Sequence, residues 1–178
     1  APYVNGRLQD MNVSSTEEAR PWMVKKRDGN PPVEDYHSGA TLAVMCPATA
    51  YWQEIMQRTA AQLVEEGSNG IYYDQIAAAE PHMCYDPSHG HPLGGGDHWV
   101  AGYRKMLEGV KALRTADGSP IFVASENNAE CYMDTVDAFL TWTPRHPSEL
   151  PLLTAVYSGY TLYFGSNAQV ETDSGLEP

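Results

Sequence analysis

Apolar and polar positions fall along this chain in blocks that read in turn as strand, loop and helix. Residues 2–8 (PYVNGRL) are a short apolar stretch halted by Asn5-Gly6, and residues 10–39 are polar, with Arg27-Asp28-Gly29-Asn30-Pro31-Pro32 near their middle. This pattern predicts a strand and then a long loop. A compact apolar run over residues 41–45 precedes Pro47, after which Trp52, Ile55, Met56, Ala60, Leu63 and Val64 recur at three- and four-residue steps. That spacing predicts a helix, with Thr49 placed to cap its start and Gly67 to end it. Gly70-Ile71-Tyr72-Tyr73-Asp74 reads as a buried strand ending in a carboxylate, and a stretch crowded with Gly, His and Pro follows it. A strand feeding a functional loop is the natural reading.

A second helical pattern starts at Asp97 and puts Trp99, Val100, Tyr103, Leu107, Val110 and Leu113 on one face before Asp117-Gly118 stops it. Residues 120–124 repeat the buried-strand signature, and Ser125-Glu126 closes it, again on a carboxylate. Residues 129–136 are compatible with a short helix, while 138–142 and 152–157 each read as a strand. Apolar strands alternating with amphipathic helices predict a parallel sheet, hence the α/β class. No GxGxxG or GxxxxGK turn follows any strand, which disfavours a nucleotide-binding doubly wound sheet and favours a (β/α)8 TIM barrel. A full barrel takes about 250 residues. Five to six βα units are readable here, so residues 1–178 are expected to form a single, incomplete barrel domain lacking its first strands and its last. Open sheet edges would then pair with a second copy or with a missing part of the barrel.

Composition narrows the partners. The 178 residues are 42% hydrophobic and 19% charged, and 11 basic against 23 acidic residues leave a net charge of −12. Such a balance repels a phosphate backbone, and Lys25-Lys26-Arg27 is too small a basic cluster to offset it, so nucleic acid is excluded as a partner. No apolar run approaches the length needed to cross a bilayer, and no signal peptide pattern is present in the chain, which reads as soluble and gives no membrane contact. The opening Ala1-Pro2-Tyr3-Val4 reads like the inside of a strand, as in a processed or truncated chain. Cys46, Cys84 and Cys131 are too few for a disulfide framework and leave the compartment open.

Chemistry in a parallel sheet gathers at the C-terminal ends of its strands, and there Asp74 and Glu126 stand one βαβ unit apart. Carboxyl groups on the tips of neighbouring strands can lie about 5–5.5 Å apart, the separation used when one attacks an anomeric carbon and the other protonates the leaving oxygen. The bland alternative is that Asp74 caps a turn and Glu126 a helix. Glu130 is the alternative acid, four residues beyond Glu126, and Asp137 reads as structural. His82, Cys84, His89, His91 and His98 raise the question of zinc, but their steps are irregular for a metal site. The pattern therefore favours no metal, with His89 and His91 donating hydrogen bonds to a sugar. Among the aromatic residues near the expected mouth, Tyr73 and Tyr157 are candidates for substrate contact, and Trp142 is the preferred stacking platform. Hydrolysis by two carboxyl groups needs no cofactor.

Tyr3-Val4-Asn5-Gly6-Arg7, Met45-Cys46-Pro47, Gly70-Ile71-Tyr72-Tyr73-Asp74-Gln75, Cys84-Tyr85-Asp86 with His89-Gly90-His91-Pro92, Ser125-Glu126 with Ala129-Glu130, and Val156-Tyr157-Ser158-Gly159-Tyr160 together carry a resemblance. On these residues the chain resembles a bacterial family of uncharacterised TIM-barrel proteins grouped with glycoside hydrolases. That family is similar in layout to endo-α-N-acetylgalactosaminidase and α-amylase-like barrels. The resemblance implies Asp74 as nucleophile and Glu126 as acid/base, with Arg7 and Gln75 as further substrate contacts. It thus implies a retaining glycoside hydrolase acting on an α-linked carbohydrate. The reading kept beside it is a non-catalytic carbohydrate-binding or assembly protein derived from such a barrel.

Overall fold

The computed structural model describes residues 1–37, 39–141, 150 and 152–165. Its elements run β1 (Tyr3–Asn5), β2 (Leu8–Asp10), α1 (Thr16–Ala19), β3 (Val33–Asp35), β4 (Thr41–Val44), α2 (Ala50–Glu65), β5 (Gly70–Asp74), α3 (His98–Lys111), β6 (Phe122–Glu126), β7 (Ala138–Leu140), α4 (Leu152–Tyr157) and β8 (Leu162–Phe164). Two sheets result. One is parallel, in the order β1-β5-β6-β7-β8, and the other is antiparallel, in the order β2-β4-β3. The fold is therefore mixed α/β around a parallel sheet, and among the described residues that sheet is not closed into a barrel.

Three expectations need correction. The run over residues 41–45 is a strand, but not one of the parallel sheet: the Asn5-Gly6 turn sends Leu8–Asp10 back along it, and Val33–Asp35 takes its other edge, so β4 is already paired on both sides. Within the polar stretch 10–39, predicted as loop, α1 and β3 form. Residues 152–157 are a helix instead of a strand, closed by the Ser158 amide donating to the Thr154 carbonyl at 2.9 Å. The strand that follows β7 in the parallel sheet is instead β8, at Leu162–Phe164.

Alternation along the strands gives the parallel sheet two unlike faces. Val4, Ile71, Tyr73, Val123 and Phe139 point to the face on which α2 and α3 lie, and they join Trp52, Met56, Ala60, Tyr103, Met106, Leu107 and Val110 in the core. The opposite face carries Tyr3, Tyr72, Phe122, Ala124, Ala138, Leu140, Leu162 and Phe164, which line an apolar groove of about 620 Å³. Asn5, Asp74 and Glu126 share that second face, at the C-terminal ends of their strands. Asp137, read as structural, binds the Lys111 ammonium at 2.7 and 2.6 Å and accepts the Val123 amide at 2.7 Å, tying α3 to the foot of β6.

The α3 helix comes in against the β4–α2 junction through Gly102. A Cβ there would stand 2.5 Å from the Pro47 carbonyl, which belongs to the backbone and cannot swing aside. Alanine gains up to about 1 kcal/mol of helix propensity over glycine, but overpacking of a rigid contact costs about 1–3 kcal/mol. Gly102→Ala is accordingly expected to destabilise the protein in urea unfolding, against the trend for helical Gly→Ala changes.

Candidate active site

Register builds the centre of the site. Asn5 pairs with Asp74 across β1 and β5, and Tyr73 pairs with Ser125 across β5 and β6, so Asp74 and Glu126 are the next positions on neighbouring strands. Strand alternation points both carboxyl groups, and the Asn5 amide, to one face. The residues that follow them, Gln75 (φ +66°) and Asn127 (φ +51°), take the left-handed conformation. A non-glycine residue adopts it at some cost, and it turns the chain sharply away while leaving each acid at the strand tip.

Asp74 is 7% exposed and well supplied with donors. The Tyr3 hydroxyl donates to its Oδ2, as does the Asn5 Nδ2 at 3.3 Å. Asn5 is itself held in an Asx turn, its Oδ1 accepting the Arg7 and Leu8 amides at 2.9 Å each, which leaves its NH2 directed at the carboxylate. Glu126 is within hydrogen-bonding reach of Asp74. That hydrogen bond, partial burial and the Asp74 charge push the Glu126 carboxyl up to about 7. The Glu126 carboxyl therefore keeps its proton to a higher pH than an ordinary glutamate.

The pair opens into a cavity of about 670 Å³, within the usual range for a small-molecule site. Tyr3, Asn5, Arg7, Glu34, Gln75, Glu80 and His82 contribute to its wall. Arg7 pairs with Glu34 through Nη1 and donates from Nη2 to the Glu80 carbonyl at 3.1 Å. Gln75 donates to Glu34 at 3.1 Å, and the Tyr36 hydroxyl donates to the same carboxylate. Burial alone would raise the Glu34 carboxyl, but the Tyr36 hydroxyl, the Arg7 charge and the Gln75 amide outweigh it and hold the carboxyl below its usual range. Among the described contacts, the buried Gln75 Oε1 has no partner and remains available as an acceptor.

Of the sequence-derived candidates, the structure gathers Asp74, Glu126, Arg7 and Gln75 around this cavity and disperses the rest. Tyr73 is fully buried on the helix-covered face, its hydroxyl bonded to the Met56 carbonyl at 3.0 Å, because odd and even positions of β5 face opposite ways. Glu130 is exposed and accepts the Tyr157 hydroxyl at 2.5 Å, so neither Glu130 as alternative acid nor Tyr157 as substrate contact lines the cavity. His89 and His91 do not reach it either. Their ring nitrogens lie 3.4 Å from the Cys84 and Cys46 sulfurs. Trp142 lies outside the described residues. Tyr3, Asn5, Glu34 and Tyr36 were not proposed as site residues from the sequence, and His82 was weighed only as a metal ligand. Asn5 had a usable signal, since it ends a strand as Asp74 does.

With the geometry in place, comparisons with known proteins agree on the kind of chain this is. DUF6259, a domain of unknown function, matches residues 1–168. The chain belongs to this family. A Bacteroides thetaiotaomicron protein named "Putative glycoside hydrolase" is 35% identical over 170 residues, covering 92% of this chain and 25% of that protein. A Monosiga brevicollis protein named "Putative glycoside hydrolase 22789" is 32% identical over 193 residues, 99% of this chain and 16% of that protein. The DUF6259 chain thus spans a quarter or less of the length of these relatives. Among solved structures, the α-N-acetylgalactosaminidase NagBb from Bifidobacterium bifidum, in complex with Gal-NHAc-DNJ, superposes with a TM-score of 0.67 at 16% identity, over 90% of this chain and 25% of that one. The Thermus thermophilus α-galactosidase TtGalA, in complex with stachyose, gives 0.56 at 10% identity over 90% of this chain and 32% of that one. Both neighbours are glycoside hydrolase (β/α)8 barrels, so this chain has a TIM-barrel-like fold. No helix among the described residues is long and apolar enough to cross a membrane.

Proposed function

We propose that this chain carries the catalytic pair of a retaining glycoside hydrolase acting on an α-linked sugar, with Asp74 as nucleophile and Glu126 as acid/base. The single observation that carries this reading is the pairing of two carboxyl groups on neighbouring strand tips in one cavity. Asp74, fed by the Tyr3 and Asn5 donors, is poised as the anion that attacks the anomeric carbon. Glu126, held protonated to about pH 7, gives its proton to the leaving oxygen and then takes one from water. A hydrogen bond between them is closer to the short separation of a retaining pair, about 5–5.5 Å, than to the gap of about 6.5–9.5 Å that an inverting enzyme keeps for its water. The support from relatives is a matter of likeness: names of glycoside hydrolases, and a shared fold with α-glycosidases.

The wall chemistry suits a neutral sugar better than an anionic one. Glu34, Glu80, Asp74 and Glu126 surround the cavity, and the one arginine in it is already paired with Glu34. The apolar groove continuing down the same sheet face fits a barrel interior that further strands of a longer protein would enclose. The test is a panel of aryl α-glycosides, beginning with α-galactosides and α-N-acetylgalactosaminides, with the first-formed product followed by NMR. Release of the α-anomer before mutarotation is the expected result. Release of the β-anomer would refute retention, and sugar binding without hydrolysis of any glycoside would support a carbohydrate-binding protein instead.

A further inference from the structure

Away from the carboxyl pair, the strongest concentration of unused chemistry is a sulfur and nitrogen cluster between the β4–α2 junction and the loop after β5. Cys46, Cys84, His89 and His91 each present one ligand atom, and these atoms all lie within 4.8 Å of one another. We propose that Cys46, Cys84, His89 and His91 form a four-coordinate structural zinc site.

Three independent features support it. The first is spacing. Cys46 Sγ lies 3.4 Å from His91 Nε2, and Cys84 Sγ lies 3.4 Å from His89 Nδ1. A tetrahedral zinc with bonds of about 2.3 Å to sulfur and 2.0–2.1 Å to nitrogen sets sulfur–nitrogen edges of about 3.5 Å. The second feature is tautomer. His89 Nε2 is 2.8 Å from the Pro21 carbonyl and His91 Nδ1 is 2.7 Å from the Pro92 carbonyl. A carbonyl only accepts, so each of these nitrogens carries the hydrogen, and the lone pair of each ring is left on the nitrogen that faces the cysteines. Metal-binding histidines are oriented in just this way, the far N–H donating to a backbone carbonyl. The third feature is enclosure: Cys46, Cys84 and His89 are buried, and the His91 ring is stacked on His98 at 3.9 Å between centroids, 7° from parallel.

The donor set selects the ion. Two soft sulfurs and two imidazoles in a tetrahedral array suit zinc, whereas calcium and magnesium take oxygen. On binding, both thiols lose their protons to solvent, and two thiolates balance the dication. All four positions are filled by protein atoms, so no open position remains for a reacting water. None of the four residues lines the Asp74 cavity. What the ion would do is mechanical: it pins the residues after β4 to the loop whose earlier part, through Ala79, Glu80 and His82, forms the cavity wall.

The test uses the purified protein, prepared without chelator. Elemental analysis should find about one zinc per chain, and cobalt exchanged for it should give the intense visible bands of a tetrahedral thiolate site. Removal of the metal should lower Tm by roughly 10 °C, reversed by added zinc, as expected for a ligand present far above its dissociation constant. Cys46→Ser and His91→Ala should lose the metal, whereas Cys131→Ser, at an exposed cysteine outside the cluster, should keep it. A metal-free preparation whose Tm does not respond to zinc would overturn the proposal, and so would a Cys46–Cys84 disulfide in the protein as purified. Both readouts are independent of any glycosidase activity.

Discussion

Asp74→Asn and Glu126→Gln are each expected to lower kcat on an aryl α-glycoside by about 10³-fold or more, with far-UV circular dichroism unchanged. General acid–base catalysis alone is worth about 10²–10⁴, and loss of a nucleophile removes the covalent route altogether. The two variants should fail differently. With a leaving group that needs no proton, Glu126→Gln should keep fast bond cleavage and stall at hydrolysis of the intermediate, and azide should then restore turnover with retained configuration. In Asp74→Gly, azide should occupy the vacated space and give a glycosyl azide of inverted configuration. Near-normal rates in either carboxamide variant would remove that residue from the mechanism. In the unmodified protein the basic limb of kcat/KM should fall near pH 7, because the acid must be protonated and Glu126 is pushed up to about 7 by its hydrogen bond to Asp74 and by burial.

The same shift has a consequence for stability. A carboxyl whose folded-state value lies above its unfolded one stabilises the fold at low pH, and that stabilisation is lost as pH rises through about 7. Asp74→Asn removes the charge and the strong acceptor that raise Glu126. The inactive variant should therefore lose less stability than the unmodified protein between pH 5 and pH 8, and melt a few degrees higher at pH 8. This is the usual opposition between an active site and the stability of its scaffold.

The carboxyl pair was legible in the sequence because each acid closes a short apolar run, and a strand's polarity and its end are local properties. The partition of the fold into two sheets was not. Residues 41–45 look the same whether the strand is parallel and central or, as here, antiparallel between β2 and β3; the difference lies in which segments return alongside it. Residues 152–157 (LLTAVY) illustrate the ambiguity of a short apolar run, which fits a strand or a helix equally until its hydrogen bonds are known. The grouping of Cys46 with the histidine loop was hidden for a related reason. Spacing within residues 82–98 shows only an irregular run of Cys and His, because Cys46, which lies against them, comes from just after a distant strand. Glu34 gave no signal at all, standing on a three-residue strand inside a polar stretch.

Arg7→Met should be the most destabilising single change at the cavity wall, by about 3–5 kcal/mol, since it leaves a partly buried carboxylate without its cation. The Arg7 side chain is only 5% exposed and that of Glu34 24%, so solvent can make up little of the loss. Glu34 keeps the Tyr36 and Gln75 donors, which places the expected cost toward the lower end of that range. Glu34→Gln alone should cost less, because a neutral amide still accepts from Arg7. Combining Arg7→Met with Glu34→Gln should then recover part of the Arg7→Met loss, and simple additivity in urea unfolding would mean that the pair is not coupled. The pH dependence gives a second check. Glu34 is held below its usual range, so its contribution is present at neutral pH and lost on acidification, and the Arg7→Met penalty should shrink between pH 7 and pH 4. Arg7 also holds the Glu80 carbonyl, and through it the loop that forms the far wall of the cavity. Its removal should therefore loosen substrate positioning and raise KM more than it lowers kcat, whereas an arginine that touched the reacting sugar in the transition state would show the reverse.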